Sequence, residues 1–213
     1  MMAKKTPMLV LENHNYNRAK KSFDDSGLLR EVVADLGWPR MLELQAKEGI
    51  DAFIISHERF PDEFYRKLKK GSLLIRYGVG YDAVPIALCK ELGILVANTP
   101  GTLDQSVAEH AMTLIAALAR RLIIQDADVK AGRWAPVMAE ELSGKTLAII
   151  GFGSIGRTLA RIAKLGFGMK ISAFDINEKV RDAFPDLLDE FTTKFEDAVR
   201  GADYVSLHMN LNP

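Results

Sequence analysis

The segment 146–175 constrains this chain most. Thr146-Leu147-Ala148-Ile149-Ile150 is a short apolar run of strand type, and it leads directly into Gly151-Phe152-Gly153-Ser154-Ile155-Gly156. Arg157–Ala163 continues with helical character, and a second apolar run, Lys170–Phe174, ends at Asp175, 19 residues after Gly156. The glycine pattern alone is a weak signal, because glycines recur in any turn. Strand, glycine turn, helix, strand and acid in that order are specific for a dinucleotide-binding unit of the Rossmann type.

Each position in the motif has its own physical task. Gly151 permits the tight turn out of the strand, Gly153 lets a pyrophosphate approach the backbone, and Gly156 lets helix and strand pack closely. Free amides near Ser154 and Ile155 face the phosphates, and the helix dipole favours their charge. Phe152 completes the binding loop. Asp175 would accept the hydroxyls of the adenosine ribose and repel an added phosphate there, so NAD is expected over NADP. The plainer alternative is a ligand-free turn with a solvated Asp175, and the complete pattern speaks against it. Ser143-Gly144-Lys145-Thr146 looks like the tail of an ATP-binding loop. The first glycine that loop requires would fall at Ala139, and the segment precedes a strand, so an ATP site is rejected.

The first half alternates strand and helix signals. Strands are expected at Met8–Leu11, Ala52–Ile55, Leu73–Arg76 and Ile94–Ala97. Helices are expected from Ser26 to about Leu36, from Pro61 to about Leu68 and near Val84–Leu92. Such alternation predicts a parallel sheet covered on both faces, of flavodoxin-like form. Asn98–Gly101 is a turn. Ser106-Val107-Ala108-Glu109 has capping-box spacing and opens a long apolar helix to about Lys130. After the glycine turn, weaker helices are expected near Lys179–Phe184 and Phe195–Arg200, with strands near Phe191 and at Tyr204–Leu207. The division falls between a first domain, 1–104, and a Rossmann domain, 105–213.

Composition narrows the partners. Apolar residues make up 48% of the 213, enough for a core, and the formal net charge is zero. A neutral chain gives no electrostatic reason to expect nucleic acid or an anionic membrane. No apolar run approaches the ~20 residues of a membrane span, and Met1–Leu11 does not read as a signal peptide. The single cysteine, Cys89, sits in an apolar stretch and excludes an internal disulfide, so a reducing, cytoplasmic setting is expected. No metal site is expected.

Further motifs resemble the D-isomer-specific 2-hydroxyacid dehydrogenases. They are Arg76-Tyr77-Gly78-Val79-Gly80-Tyr81-Asp82, Gly93–Gly101, Ser106–His110, Gly132-Arg133-Trp134, Leu142–Thr146 and Ser206-Leu207-His208-Met209. The resemblance implies a substrate domain followed by a Rossmann domain. It implies hydride transfer between nicotinamide and C2 of a 2-hydroxy or 2-oxo acid. By the same resemblance, the Val79 and Gly80 amides bind the substrate carboxylate, His208 touches the cofactor, Val107 packs near the nicotinamide, and the protein is a homodimer. For Val107, helical position also predicts plain core packing, and for the 78–80 turn a tight structural role is compatible with binding, which only the resemblance favours. His14, His57 and His110 read as surface, loop or interface residues.

The resemblance also implies an arginine, a glutamate and a histidine that carry the chemistry, all beyond position 213, so no catalytic residue is assigned. Both domains are expected to be incomplete, the chain is expected to be truncated at its C-terminus, and alone it is expected to have little or no turnover. Asn210 stands where the family commonly has proline. The alternative reading is an NAD-sensing, corepressor-like binding protein of the same fold.

Overall fold

The computed structural model describes residues 9–33 and 37–209. Two compact units divide it, one ending at Thr102 and the other beginning at Leu103.

In chain order the first unit holds β1 (Leu9–Glu12), α1 (Asn13–Arg18), α2 (Lys20–Ser26), β2 (Leu29–Val33) and α3 (Gly37–Glu48). β3 (Ala52–Ile55), α4 (Asp62–Lys67), β4 (Leu73–Arg76), α5 (Ile86–Leu92) and β5 (Leu95–Ala97) follow. The strands pair in parallel in the order β2-β1-β3-β4-β5, with Phe53 level with Val10 on one side and Leu74 on the other. This is the flavodoxin-like order. Phe53, Ile55 and Leu74 pack with Met41 and Leu44 of α3, and with Phe64 and Tyr65 of α4, all fully buried. Each such side chain contributes about 1.5–3 kcal/mol by leaving water. Cys89 lies in this core, and burial pushes its thiol pKa up, which suits packing and not nucleophilic chemistry.

Over residues 26–33 the expected helix from Ser26 to about Leu36 does not form. Ser26 ends α2 instead: its hydroxyl donates to the Phe23 carbonyl at 2.7 Å, and Gly27 adopts the left-handed backbone (φ 64°) that stops a helix. Leu29–Val33 then pairs with β1, where its two adjacent valines suit an extended backbone. A short apolar run fits either period, and sheet pairing decided this one. Met8 and residues 34–36 lie outside the described residues. Gly37 begins α3.

The second unit holds α6 (Asp104–Ala119), α7 (Leu122–Lys130), β6 (Thr146–Ile150), α8 (Ser154–Phe167) and β7 (Lys170–Phe174). α9 (Lys179–Ala183), β8 (Glu190–Thr192), α10 (Phe195–Val199) and β9 (Tyr204–Leu207) complete it. Its parallel sheet runs β8-β7-β6-β9, which in order of appearance is 3-2-1-4, the leading part of the Rossmann order. The core joins Leu147 and Ile149 of β6 to Leu159, Ala160 and Ala163 of α8.

Two expectations about α6 fail. The capping box does not form: the helix begins at Asp104, so Ser106 is already inside its first turn and Leu103 gives no side-chain cap. Nor is the helix continuous to Lys130. Arg121 takes a left-handed conformation (φ 53°) and separates α6 from α7. The buried stripe is Ala108, Met112, Ile115 and Ala119, while Val107, Leu114 and Leu118 are exposed. α7 buries none of its residues. Lys145, the lysine of the ATP-loop lookalike, pairs with Asp203 at 3.1 Å and Glu140 at 3.4 Å, a structural duty. Among the described residues, no helix is long and apolar enough to cross a membrane, and no acid, His or Cys cluster could hold a metal.

Candidate functional site

In open parallel sheets a ligand crevice forms beyond the carboxyl ends of the strands, where the strand order reverses. In the second unit that point lies between β6 and β9. β6 delivers Gly151, β7 delivers Asp175, and β9 delivers His208. Gly151–Gly156, Asp175 and His208 are therefore brought to one edge of one sheet.

The glycines face different surroundings. Gly151 has φ +95°, and a β-carbon there would stand 2.7 Å from the His208 carbonyl oxygen. No side chain fits between the two strand ends. A β-carbon on Gly156 would stand 2.3 Å from the Gly151 carbonyl oxygen, so this position sets how closely α8 approaches β6. A β-carbon on Gly153 would meet nothing within 4 Å. The backbone there borders open space at the start of α8, where the first amides have no helical partner.

Phe152 differs from its neighbours. Its ring is fully buried in the core, so only its backbone belongs to the loop. That backbone is held at both groups. The N–H donates to Asp175 Oδ2 at 2.9 Å, and the carbonyl accepts from Arg157 Nη1 at 3.0 Å. The other Asp175 oxygen accepts the Asn177 N–H at 2.9 Å. Ser154 donates its hydroxyl to Asp104, which puts the first turn of α6 beside the loop. Val107 lies one turn further along α6 and is exposed, not packed in the core. Ile155 is half-buried.

His208 prolongs the pairing of β9 with β6 by donating its N–H to the Ile150 carbonyl at 2.7 Å. Its Nε2 lies 2.8 Å from the Ser206 hydroxyl. The ring is half-buried, and that burial lowers its pKa, so near neutral pH it is an uncharged hydrogen-bonding ring.

Within the first unit, Val79 and Gly80 lie in the loop after β4. Asn98 Nδ2 donates to the Val79 carbonyl at 2.8 Å, and Thr99 donates its N–H to the Gly78 carbonyl at 3.1 Å. The carbonyls are thus tied to the segment after β5, while among the described residues the Val79 and Gly80 N–H groups have no backbone acceptor. His14, His57 and His110 are exposed, with His57 Nδ1 3.0 Å from Ser56 Oγ. Asn210 lies outside the described residues. Arg157, Asp104 and Phe184 were not found from sequence. No motif marks them, because their roles arise from contacts that only the folded loop creates.

Residues 112–213 match the family model described as D-isomer specific 2-hydroxyacid dehydrogenase, NAD binding domain. The glyoxylate reductase of Thermococcus litoralis is 36% identical over 183 residues, spanning 81% of this chain and 54% of the relative. The hydroxypyruvate reductase of Thermotoga maritima is 40% identical over 145 residues, spanning 67% and 45%. The second unit is the NAD-binding domain of a D-isomer-specific 2-hydroxyacid dehydrogenase. NAD is the dinucleotide of this family's second domain. The dehydrogenase fold is seen again in the D-lactate dehydrogenase of Aquifex aeolicus, complexed with NAD and lactic acid. That structure superposes with a TM-score of 0.75 at 24% identity, covering 94% of this chain and 60% of that one. The chain spans about half the length of the curated dehydrogenases it matches.

Proposed function

We propose that the second unit holds NAD across the β6–β9 switch and that the protein serves hydride transfer to and from a small 2-hydroxy or 2-oxo acid. One observation carries this reading. The open backbone at Gly153, the acid at the end of β7 and the neutral imidazole at the end of β9 converge on one sheet edge.

The geometry and the family resemblance together support the following roles. Gly151 and Gly156 shape the loop sterically. The amides of Gly153, Ser154 and Ile155 receive the diphosphate, supported by the dipole of α8. Phe152 contributes backbone alone. Asp175 has lone pairs left on both oxygens for the ribose hydroxyls, and its charge disfavours a 2′-phosphate. His208 supplies a neutral contact to the cofactor, and Val107 an exposed apolar one. When bound, NAD supplies the hydride acceptor at C4 of its nicotinamide. In the first unit, the free amides of Val79 and Gly80 hold the substrate carboxylate. Glyoxylate and hydroxypyruvate, named in the relatives, are the first 2-oxo acids to try.

None of these residues supplies the proton that C2 chemistry requires. His208 is bonded to Ser206 and is assigned a cofactor contact, not proton transfer. A homodimer is proposed on the exposed apolar side chains of α7, Leu122, Ile123, Ile124 and Val129, together with Trp134. A cytoplasmic setting fits the single buried thiol.

Fluorescence titration with NADH and NADPH tests the reading. NADH should bind and NADPH should bind at least tenfold more weakly. No NADH binding, or equal affinity for both, would overturn it.

A further inference from the structure

Arg157 follows the glycine pattern directly, yet its guanidinium does not point into solvent as a surface arginine would. It lies over the Phe184 ring, 4.5 Å from the centroid, and donates from Nη1 to the Phe152 carbonyl at 3.0 Å. Phe184 itself packs against the core of the second unit. The cation is therefore anchored on an aromatic face and directed at one peptide group of the loop.

That peptide group matters because of what stands at its other end. A trans peptide is planar, and its C=O and N–H point in opposite directions. The plane that carries the Phe152 carbonyl also carries the Gly153 N–H. Fixing the carbonyl on one side fixes the direction of the amide on the other. The preceding peptide is held too, by Asp175 accepting the Phe152 N–H. Gly153 lacks a side chain that could brace it, and it borders open space. Without a brace this glycine peptide could rotate at small cost.

We propose that Arg157 is a positioning residue for the dinucleotide. It orients the Phe152–Gly153 peptide so that the Gly153 N–H is presented to the diphosphate, and Phe184 holds the guanidinium in place for that task. The inference rests on the NAD reading above. It predicts a loss confined to the part of the ligand that carries phosphate.

The test uses the 213-residue chain. NADH affinity is read by fluorescence titration, and adenosine affinity by competition against NADH. Arg157→Ala should weaken NADH about tenfold, the scale of one charge-assisted hydrogen bond, and leave adenosine within twofold of wild type. Arg157→Lys keeps a donor and should recover part of the loss. Phe184→Leu removes the ring beneath the guanidinium and should weaken NADH about threefold, again sparing adenosine, on the scale of a cation–π contact. Should Arg157→Ala fail to fold, the Lys and Leu variants carry the same comparison. NADH binding within twofold of wild type in the variants overturns the proposal, as does equal loss of NADH and adenosine, which marks a merely structural role. Wild-type chain that binds no NADH at all overturns the NAD reading, and this inference falls with it. That result is distinct from a variant that binds normally.

Discussion

The Asp175 carboxylate accepts the backbone N–H of Phe152 at 2.9 Å, across 23 residues of sequence. The acid expected to read the ribose therefore also pins the glycine loop, and its second oxygen holds the turn at Asn177. Asp175→Ala removes both duties and should weaken NADH by tenfold or more while lowering the melting temperature. Asp175→Asn keeps the shape but removes the charge and one of the two acceptor oxygens, so it should narrow the NADH-to-NADPH affinity ratio and lower the melting temperature by less than Asp175→Ala does. Paired titrations and melting curves check this. An unchanged ratio in Asp175→Asn would remove the charge from the account of specificity.

Gly153 and Gly156 separate binding from folding. Gly156→Ala drives a β-carbon into the Gly151 carbonyl and the Ile149 side chain, at 2.3 Å and 3.1 Å. Overpacking of this kind costs about 1–3 kcal/mol, which lowers the melting temperature by roughly 2–4 °C per kcal/mol in a chain of this size. Gly153 has φ −68°, ordinary for any residue, and no atom near its missing β-carbon. Gly153→Ala should melt with wild type and lose most NADH affinity, because its methyl fills the space the phosphates need. Calorimetric melting of both variants, with NADH titration, reads the two effects apart. A destabilised Gly153→Ala would contradict the open geometry.

The second unit was legible for a physical reason. β6 and β7 are buried apolar runs bounded by glycine and aspartate, so period, boundary and motif agree, and their limits match the sequence reading residue for residue. The stretch 26–33 was not legible. Its valines and leucines suit a helix face or a strand, and pairing with β1 lies far away in sequence. The break at Arg121 was hidden because no glycine or proline marks it. At the candidate site the glycines and Asp175 announced themselves through backbone need. Arg157 did not, since any long cation at its position looks solvated until Phe184 folds beneath it.

Asp189, just before β8, ties that segment to β7 and α8. Its carboxylate accepts the Ile171 N–H at 2.8 Å and the Lys164 ammonium at 3.0 Å. Burial pushes its pKa up, but the Ile171 amide and Lys164 outweigh burial and hold it below the ordinary value. A depressed folded pKa means that the contact stabilises above the unfolded value, about 3.9. That contribution fades as pH falls through the folded one. Urea unfolding of wild type and Asp189→Asn should therefore differ by a constant amount at neutral pH, and the difference should close under acid conditions. A gap that persists below both pKa values would show that shape, not charge, is responsible.

His208 gives the opposite test, on a base. Burial lowers its pKa below the ordinary value of about 6.5, so the folded chain favours the neutral ring and the unfolded chain takes up the proton first. Its contribution to stability is full above about pH 6.5 and is lost as pH falls toward and through the folded pKa. Wild type should then lose more stability between pH 7.5 and pH 5.5 than His208→Gln, in which nothing titrates at that position. Following the imidazole proton resonances gives the direct reading, with a midpoint below the ordinary value. A midpoint at or above it would mean that the ring is solvated. A charged His208 beside the cofactor would then replace the neutral contact assigned here.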